Sequence, residues 1–369
     1  MNARGKHVPI DARTKSRLAN SARLLSEYRF QIWNYGDSVG FEGLLCASAI
    51  LRDLRYRGFV HGALKAWSAR ALPYRELDNT FPGHAACALY EETRDPSLMM
   101  ALVDLSRFLM SRRLIKGAYA AFESSPVVPP YGGMRVTATE ASLITQPGAG
   151  VFVDCLHFDP PFFVHLGRLL DDDVLLRTGI EQAMAYIQVL QDPESKLFSH
   201  FYLERTGRAY GLGWGRGQGW ALLGLFDVLE YVGADEPARQ ALIDATLGLC
   251  QALVRTQQPD GSWRAVVSDP LAREEASTAA FAACGFLRGV RLGILDESFL
   301  EPALRAWDRT TDLMDDEGRL GLVSAAVFPT TSLASYSHVS TGHLVPWGLG
   351  PLIMAAAEVD LIDVKRSSA

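Results

Sequence analysis

The sharpest chemical signal in the chain is one arginine set among glycines and tryptophans, in Trp214-Gly215-Arg216-Gly217-Gln218-Gly219-Trp220. A guanidinium offers a planar fork of donors that suits a carboxylate. The indoles of Trp214 and Trp220 offer flat apolar faces, and Gln218 adds an amide. Five further clusters mix polar groups, glycines and aromatics: Trp33-Asn34-Tyr35-Gly36-Asp37, Leu77-Asp78-Asn79 through His84, Val153-Asp154-Cys155, Glu274-Glu275-Ala276-Ser277-Thr278, and Ser340-Thr341-Gly342-His343 with Trp347-Gly348. Asp154 and Asp78 are carboxylates within these clusters. Trp33, His84, His200, Ser277, Thr278 and His343 are candidate sugar-binding groups, because tryptophan faces edged by amides, hydroxyls and carboxylates match sugar rings. Each has a plainer role as well. Asp37, Asp78 and Ser277 can serve as helix N-caps, Trp214 and Trp220 as core aromatics, and His157 and His165 read as packing residues. What singles them out is that six clusters open six different helices.

The elements that must position them recur as helix, acidic turn, helix. Ala85–Glu92 runs into Thr93-Arg94-Asp95-Pro96, where Asp95 is a natural N-cap and Pro96 fits the first helical position. Leu98, Leu102, Leu105 and Leu109 then mark one helix face. Phe162–Leu170 runs into three aspartates, Trp220–Val232 into Gly233-Ala234-Asp235-Glu236-Pro237, and Thr278–Leu292 into Leu295-Asp296-Glu297. Val39–Leu51 pairs with a segment from about Phe59, and the last helix, from about Trp347, pairs with the first, from about Thr14. This predicts about twelve helices in six hairpins, with little strand alternation and no dividing linker. Six hairpins can close into an all-α (α/α)6 barrel whose two layers bury each other's apolar stripes, a single catalytic domain over residues 1–369. An open helical solenoid is the competing architecture. In a closed ring the six N-termini converge on one mouth, whose free N–H groups favour an anionic ligand.

Composition narrows the class. Hydrophobic residues make up 48% of the 369 and charged residues 21%, which excludes wholesale disorder. Net charge is −6 with no long Lys/Arg block, which argues against a nucleic-acid partner. No apolar run reaches 18 residues, so no membrane span is expected. Met1–Ser26 lacks the apolar stretch of a signal peptide. The five cysteines, Cys46, Cys87, Cys155, Cys250 and Cys284, form no ligand pair and read as reduced core residues of a cytoplasmic protein. No metal or other cofactor is expected. Gly36-Asp37-Ser38-Val39-Gly40 matches a nucleophile elbow in letters but lacks the strand such an elbow needs. The Gly211–Gly219 run fails the dinucleotide pattern.

At these residues the chain resembles the unsaturated glucuronyl and rhamnogalacturonyl hydrolases, glycoside hydrolase families 88 and 105. Trp214–Trp220 looks like their W-x-R-G-N/Q-x-W signature, with Gln218 where many members carry Asn. Val153-Asp154-Cys155-Leu156 is similar to the segment bearing their catalytic aspartate, and Leu77-Asp78-Asn79 to that of their second. Trp263 through Asp269-Pro270 to Glu275-Ala276-Ser277-Thr278 resembles a further family block, and Trp33–Leu44 the first inner helix. The resemblance implies removal of a 4,5-unsaturated uronic acid from the non-reducing end of lyase-generated oligosaccharides. A proton adds at C4 and water at C5, with Asp154 as general acid and base, Asp78 as partner carboxylate and Arg216 pairing with the substrate carboxylate. Two departures stand out. Leu114–Gly150 does not match the family pattern, and Pro160-Pro161 predict a helix start shifted towards Asp159. Two rivals remain open: a conventional glycosidase using Asp78 and Asp154 as paired carboxylates, and a non-catalytic carbohydrate-binding ring.

Overall fold

The computed structural model describes residues 10–30, 35–69 and 80–367. Its order is α1 (Ala12–Ser26), α2 (Asp37–Ile50), α3 (Leu54–Ser68), α4 (Gly83–Thr93), α5 (Pro96–Met110), β1 (Leu114–Ile115), β2 (Ala118–Tyr119), α6 (Ala138–Thr145), β3 (Gly150–Phe152), α7 (Cys155–Leu170) and α8 (Asp173–Leu190). It continues with β4 (Phe201–Leu203), β5 (Arg208–Tyr210), α9 (Gly215–Tyr231), α10 (Arg239–Thr256), α11 (Ala276–Arg291), α12 (Leu300–Asp312) and α13 (Pro346–Ser367).

The acidic turns start helices because their carboxylates take up N–H groups that the first turn leaves unpaired. Asp53, Asp95 and Asp172 each accept from a backbone N–H just inside α3, α5 and α8, and Pro96 opens α5. Ser277 is not a cap: Glu275 caps α11 and Ser277 lies inside the helix.

Apolar patterning decides which layer each helix joins. From Gly215 to Leu229 every residue of α9 is buried, as is every residue of α11 from Ala276 to Gly289. Helices apolar all round belong inside, whereas α10 buries only a stripe through Leu242, Leu249 and Leu253. The inner helices α2, α4, α7, α9, α11 and α13 pack each on the next, and α13 returns to α2. Outside them α3, α5, α8, α10, α12 and α1 pack on α2, α4, α7, α9, α11 and α13 respectively. The ring is closed, an (α/α)6 barrel, and not an open solenoid.

One local expectation is corrected. The helix after Asp154 begins at Cys155 and runs through Pro160 and Pro161 without a break. These prolines withhold N–H groups from the carbonyls of Leu156 and His157. Close packing accommodates the change: Gly224 of α9 lies so near that a Cβ there would come within 2.2 Å of the Leu156 oxygen. Asp159 is not a cap either. It is fully buried, 2.8 Å from Arg112 Nη2, and accepts from the Tyr186 hydroxyl at 3.2 Å. No described helix is long and apolar enough to cross a membrane. All five cysteines are free thiols, four of them buried.

Candidate active site

A three-stranded antiparallel sheet, β3–β4–β5, sits at one mouth of the barrel and brings two side chains together. The Val153 N–H donates to the His200 carbonyl at 2.9 Å, extending the β3–β4 ladder by one step. Asp154 therefore lies beside His200, with Oδ2 and Nε2 3.8 Å apart. The Asp154 side chain caps no helix N–H and faces a pocket lined by Tyr35, Thr80, Phe122, Phe152, Phe158, Val327 and Phe328. Burial pushes its carboxyl up to about 6, although Arg216 pulls the other way. Burial and the Arg216 charge hold His200 down at about 3, so its imidazole is neutral. The pocket thus pairs a carboxyl poised near neutrality with a neutral imidazole, suited to handing a proton to carbon and taking one from water.

Behind the pocket the sequence clusters meet. Arg216 is fully buried; Nη1 donates to Ser324 Oγ at 2.5 Å and lies 3.6 Å from Glu275 Oε1, and Nη2 donates to the Ala325 carbonyl at 3.0 Å. Its plane lies between the rings of Trp214 and Trp347. Glu275 also accepts from Ser277 Oγ, Thr278 Oγ1 and N, and Ser324 N. Gln218 clamps Phe198: Oε1 accepts from its N–H at 2.7 Å and Nε2 donates to its carbonyl at 2.9 Å, two residues before His200.

A sequence model described as Glycosyl Hydrolase Family 88 matches residues 10–361. The chain belongs to glycosyl hydrolase family 88. Among family relatives, the unsaturated rhamnogalacturonyl hydrolase YesR of Bacillus subtilis is 22% identical over 328 residues, covering 89% of each chain. A crystal structure of a possible GH105 member from Salmonella enterica superposes with TM-score 0.81 at 20% identity, covering 98% of this chain and 100% of the other. The unsaturated glucuronyl hydrolase of Bacillus sp. GL1 superposes with TM-score 0.69 at 17% identity, covering 93% and 95%.

Within this family 88 barrel, the residues singled out in the sequence separate into three places. Asp154 and His200 face the pocket. Trp214, Arg216, Gln218, Ser277 and Thr278 form the support behind it: Trp214 packs its ring 4.1 Å from that of His200, and both terminal nitrogens of Arg216 are already engaged by protein groups. The Arg216 guanidinium pairs with Glu275, Ser324 and Ala325, and the expected contact with a substrate carboxylate is a proposal that Arg216→Ala tests below. Trp220, expected as a wall, is in the barrel core against His157, Phe158 and Phe281. His84 lies deeper, its Nδ1 3.2 Å from that of His165, and His343 is exposed beside Ser340. Trp33 and Asp78 lie outside the described residues, although Thr80, two positions after Asp78, lines the pocket.

Sequence reasoning missed Tyr336, whose hydroxyl is 2.7 Å from His200 Nδ1, and the rim residues Phe122 and Phe328. None belongs to a periodic stripe, and they come from segments that only the fold brings together. The Leu114–Gly150 stretch supplies Phe122 and Pro126 to the wall. Deeper in the barrel, Glu42, His157 and Asp227 have ligand atoms within 4.8 Å of one another, the best metal-like trio among the described residues. His157 lies between the two carboxylates and Arg288 pairs with Asp227, so the trio carries its own countercharges. The nucleophile-elbow serine, Ser38, is helical and donates to Glu42.

Proposed function

We propose that this chain removes a 4,5-unsaturated uronic acid from the non-reducing end of an oligosaccharide by hydrating the C4=C5 bond, acting as a single catalytic domain. The observation that carries this reading is one carboxyl, Asp154, raised to about 6 inside an aromatic-walled pocket, in a family 88 chain whose relatives bear names of unsaturated uronyl hydrolases. Asp154 gives its proton to C4 and positive charge develops at C5. Water then adds at C5 and returns a proton to Asp154. The hemiketal so formed opens and releases the remaining sugar. Tyr35, Phe152 and Phe158 exclude water from Asp154 and keep its pKa high. Arg216, Glu275 and Gln218 hold the walls, and Asp78 is assigned as partner carboxylate from its sequence segment. The free thiols fit work on imported oligosaccharides in a reducing compartment such as the cytoplasm.

The test is turnover of lyase-generated unsaturated disaccharides, followed by loss of the ultraviolet absorbance of the C4=C5 bond. Wild type is run beside Asp154→Asn, with 4-nitrophenyl glucuronide as the saturated control. Loss of absorbance with wild type alone supports hydration through Asp154. Cleavage of the saturated control alone overturns it in favour of paired-carboxylate hydrolysis.

A further inference from the structure

Tyr336 lies in a 3-10 turn, Leu333–His338, on the loop that also supplies Val327 and Phe328 to the pocket. Its side chain is 2% exposed, and its hydroxyl oxygen is 2.7 Å from His200 Nδ1. Gly211 permits this approach: at φ +73° it leaves room where a Cβ would lie 2.7 Å from His200 Cβ and 2.9 Å from the Tyr336 hydroxyl.

Hydrogen-bond accounting then selects one arrangement. The phenol has a single proton, and Nδ1 of the neutral imidazole is the acceptor within its reach among the described residues. If Nδ1 carried a proton instead, the buried phenol proton would be left without an acceptor. Nδ1 is therefore the acceptor, and Nε2 carries the imidazole proton. That N–H faces Asp154 Oδ2 at 3.8 Å, too long for a direct hydrogen bond, yet a single oxygen atom can sit within hydrogen-bond distance of both groups. An oxygen held there accepts from Nε2–H and donates to the carboxylate, which is the orientation of a water about to give up a proton.

We propose that Tyr336 is a positioning residue that fixes His200 in the Nε2–H tautomer, so that His200 and Asp154 together hold the water that adds to the double bond. The water half of this assignment rests on the hydration reading above. After Asp154 has protonated C4, the water oxygen bonds to C5 and its proton passes to the Asp154 carboxylate. His200 donates a hydrogen bond throughout and keeps its own proton. The depressed His200 pKa supports this, since an imidazolium would have no Nδ1 acceptor to offer Tyr336.

The experiment is nitrogen-15 NMR of the imidazoles in the whole protein, the His200 signals being identified by their loss in His200→Gln. The wild type is expected to show a protonated Nε2 and an unprotonated Nδ1, and Tyr336→Phe a mixed tautomer. In kinetics on unsaturated disaccharides, Tyr336→Phe is expected to lower kcat by about tenfold or more, with KM within about twofold. In a His200→Gln background, where the amide retains a donor near the Nε2 position, the same change is expected to alter kcat by less than about twofold. A wild-type spectrum with the proton on Nδ1 overturns the proposal without reference to any substrate or variant. Equal losses from Tyr336→Phe in both backgrounds also overturn it. Wild type inert towards unsaturated disaccharides overturns the hydration reading, and with it the water's role, while the spectrum still decides the tautomer.

Discussion

At the scale of single residues, the site turns on what burial does to charge. Asp154 is shifted up to about 6 from an ordinary 3.8, so its charged form costs folding free energy. A carboxylate raised in the folded state lowers stability as pH rises from 3.8 through 6. Asp154→Asn is therefore expected to raise the melting temperature at pH 8 while abolishing turnover, by a gain of order 3 kcal/mol from the size of the shift, and to leave stability at pH 4 nearly unchanged. Calorimetry at both values checks this. In the proposed hydration the protonated Asp154 starts the reaction, so kcat/KM should fall as pH rises through about 6. Arg216 makes a sharper case. Its terminal nitrogens donate to Ser324 and Ala325 and face the Glu275 carboxylate. Arg216→Ala should thus lower stability by about 3–5 kcal/mol, because it strips a buried carboxylate of its countercharge. A KM effect with unchanged melting would return the arginine to a substrate-binding role.

At the scale of elements, the mouth is precise because backbones approach closely. Where α9 crosses α7, Gly224 meets the Leu156 carbonyl, which lacks an N–H partner from Pro160. Gly224→Ala should force the helices apart and cost roughly 1–3 kcal/mol. Because Asp154 and His200 are set by α7 and the adjacent sheet, kcat should fall with it, measured alongside chemical denaturation. How far such features can be read from sequence differs by element. Asp95-Pro96 and Asp172 announce helix starts, because capping is local chemistry. Pro160-Pro161 misled for the complementary reason. A proline pair argues against a helix locally, and only its packing against Gly224 and the buried Arg112–Asp159 pair show that the helix continues.

At the scale of the whole molecule, charged groups on five of the six inner helices meet inside the barrel. Glu42 of α2, His157 of α7, Asp227 of α9, Arg288 of α11 and Glu358 of α13 form a buried chain, with Arg291 completing it. His157 Nε2 lies 3.2 Å from Glu42 Oε1. The Glu42 and Asp227 carboxylates raise the His157 pKa against the effect of burial, and the His157 charge helps hold Glu42 at about 2. The two signs differ. The Glu42 contribution is present above its ordinary 4.5 and is lost as pH falls towards 2. The His157 contribution is full below its ordinary 6.5 and is lost as pH rises through its raised value. The contribution of the Glu42–His157 pair should therefore be greatest between about pH 4.5 and 6.5, superimposed on the loss that Asp154 brings from pH 3.8 through 6. His157→Gln should flatten the alkaline side of that profile and cost about 3–5 kcal/mol within the window. Melting curves across pH for both proteins decide it.

The sequence by itself determined the helices, their hairpin pairing and the residue types at the mouth. Capping aspartates and apolar stripes act within a few residues of one another, and the Trp214–Trp220 and Glu275–Thr278 clusters are legible as local strings. It also pointed to Asp154 through the resemblance of Val153–Leu156 to a family segment, whereas the structure shows that this carboxylate caps no helix. Tertiary structure alone decided that the ring closes, that Arg216 faces Glu275 and Ser324, and that Trp220 lies in the core. It alone brought Tyr336 to His200, 136 positions away in the chain. Composition cannot say which neighbour a buried polar group will meet. That depends on which helix ends converge, and the converging helices are fixed by burial of apolar faces summed over the whole barrel.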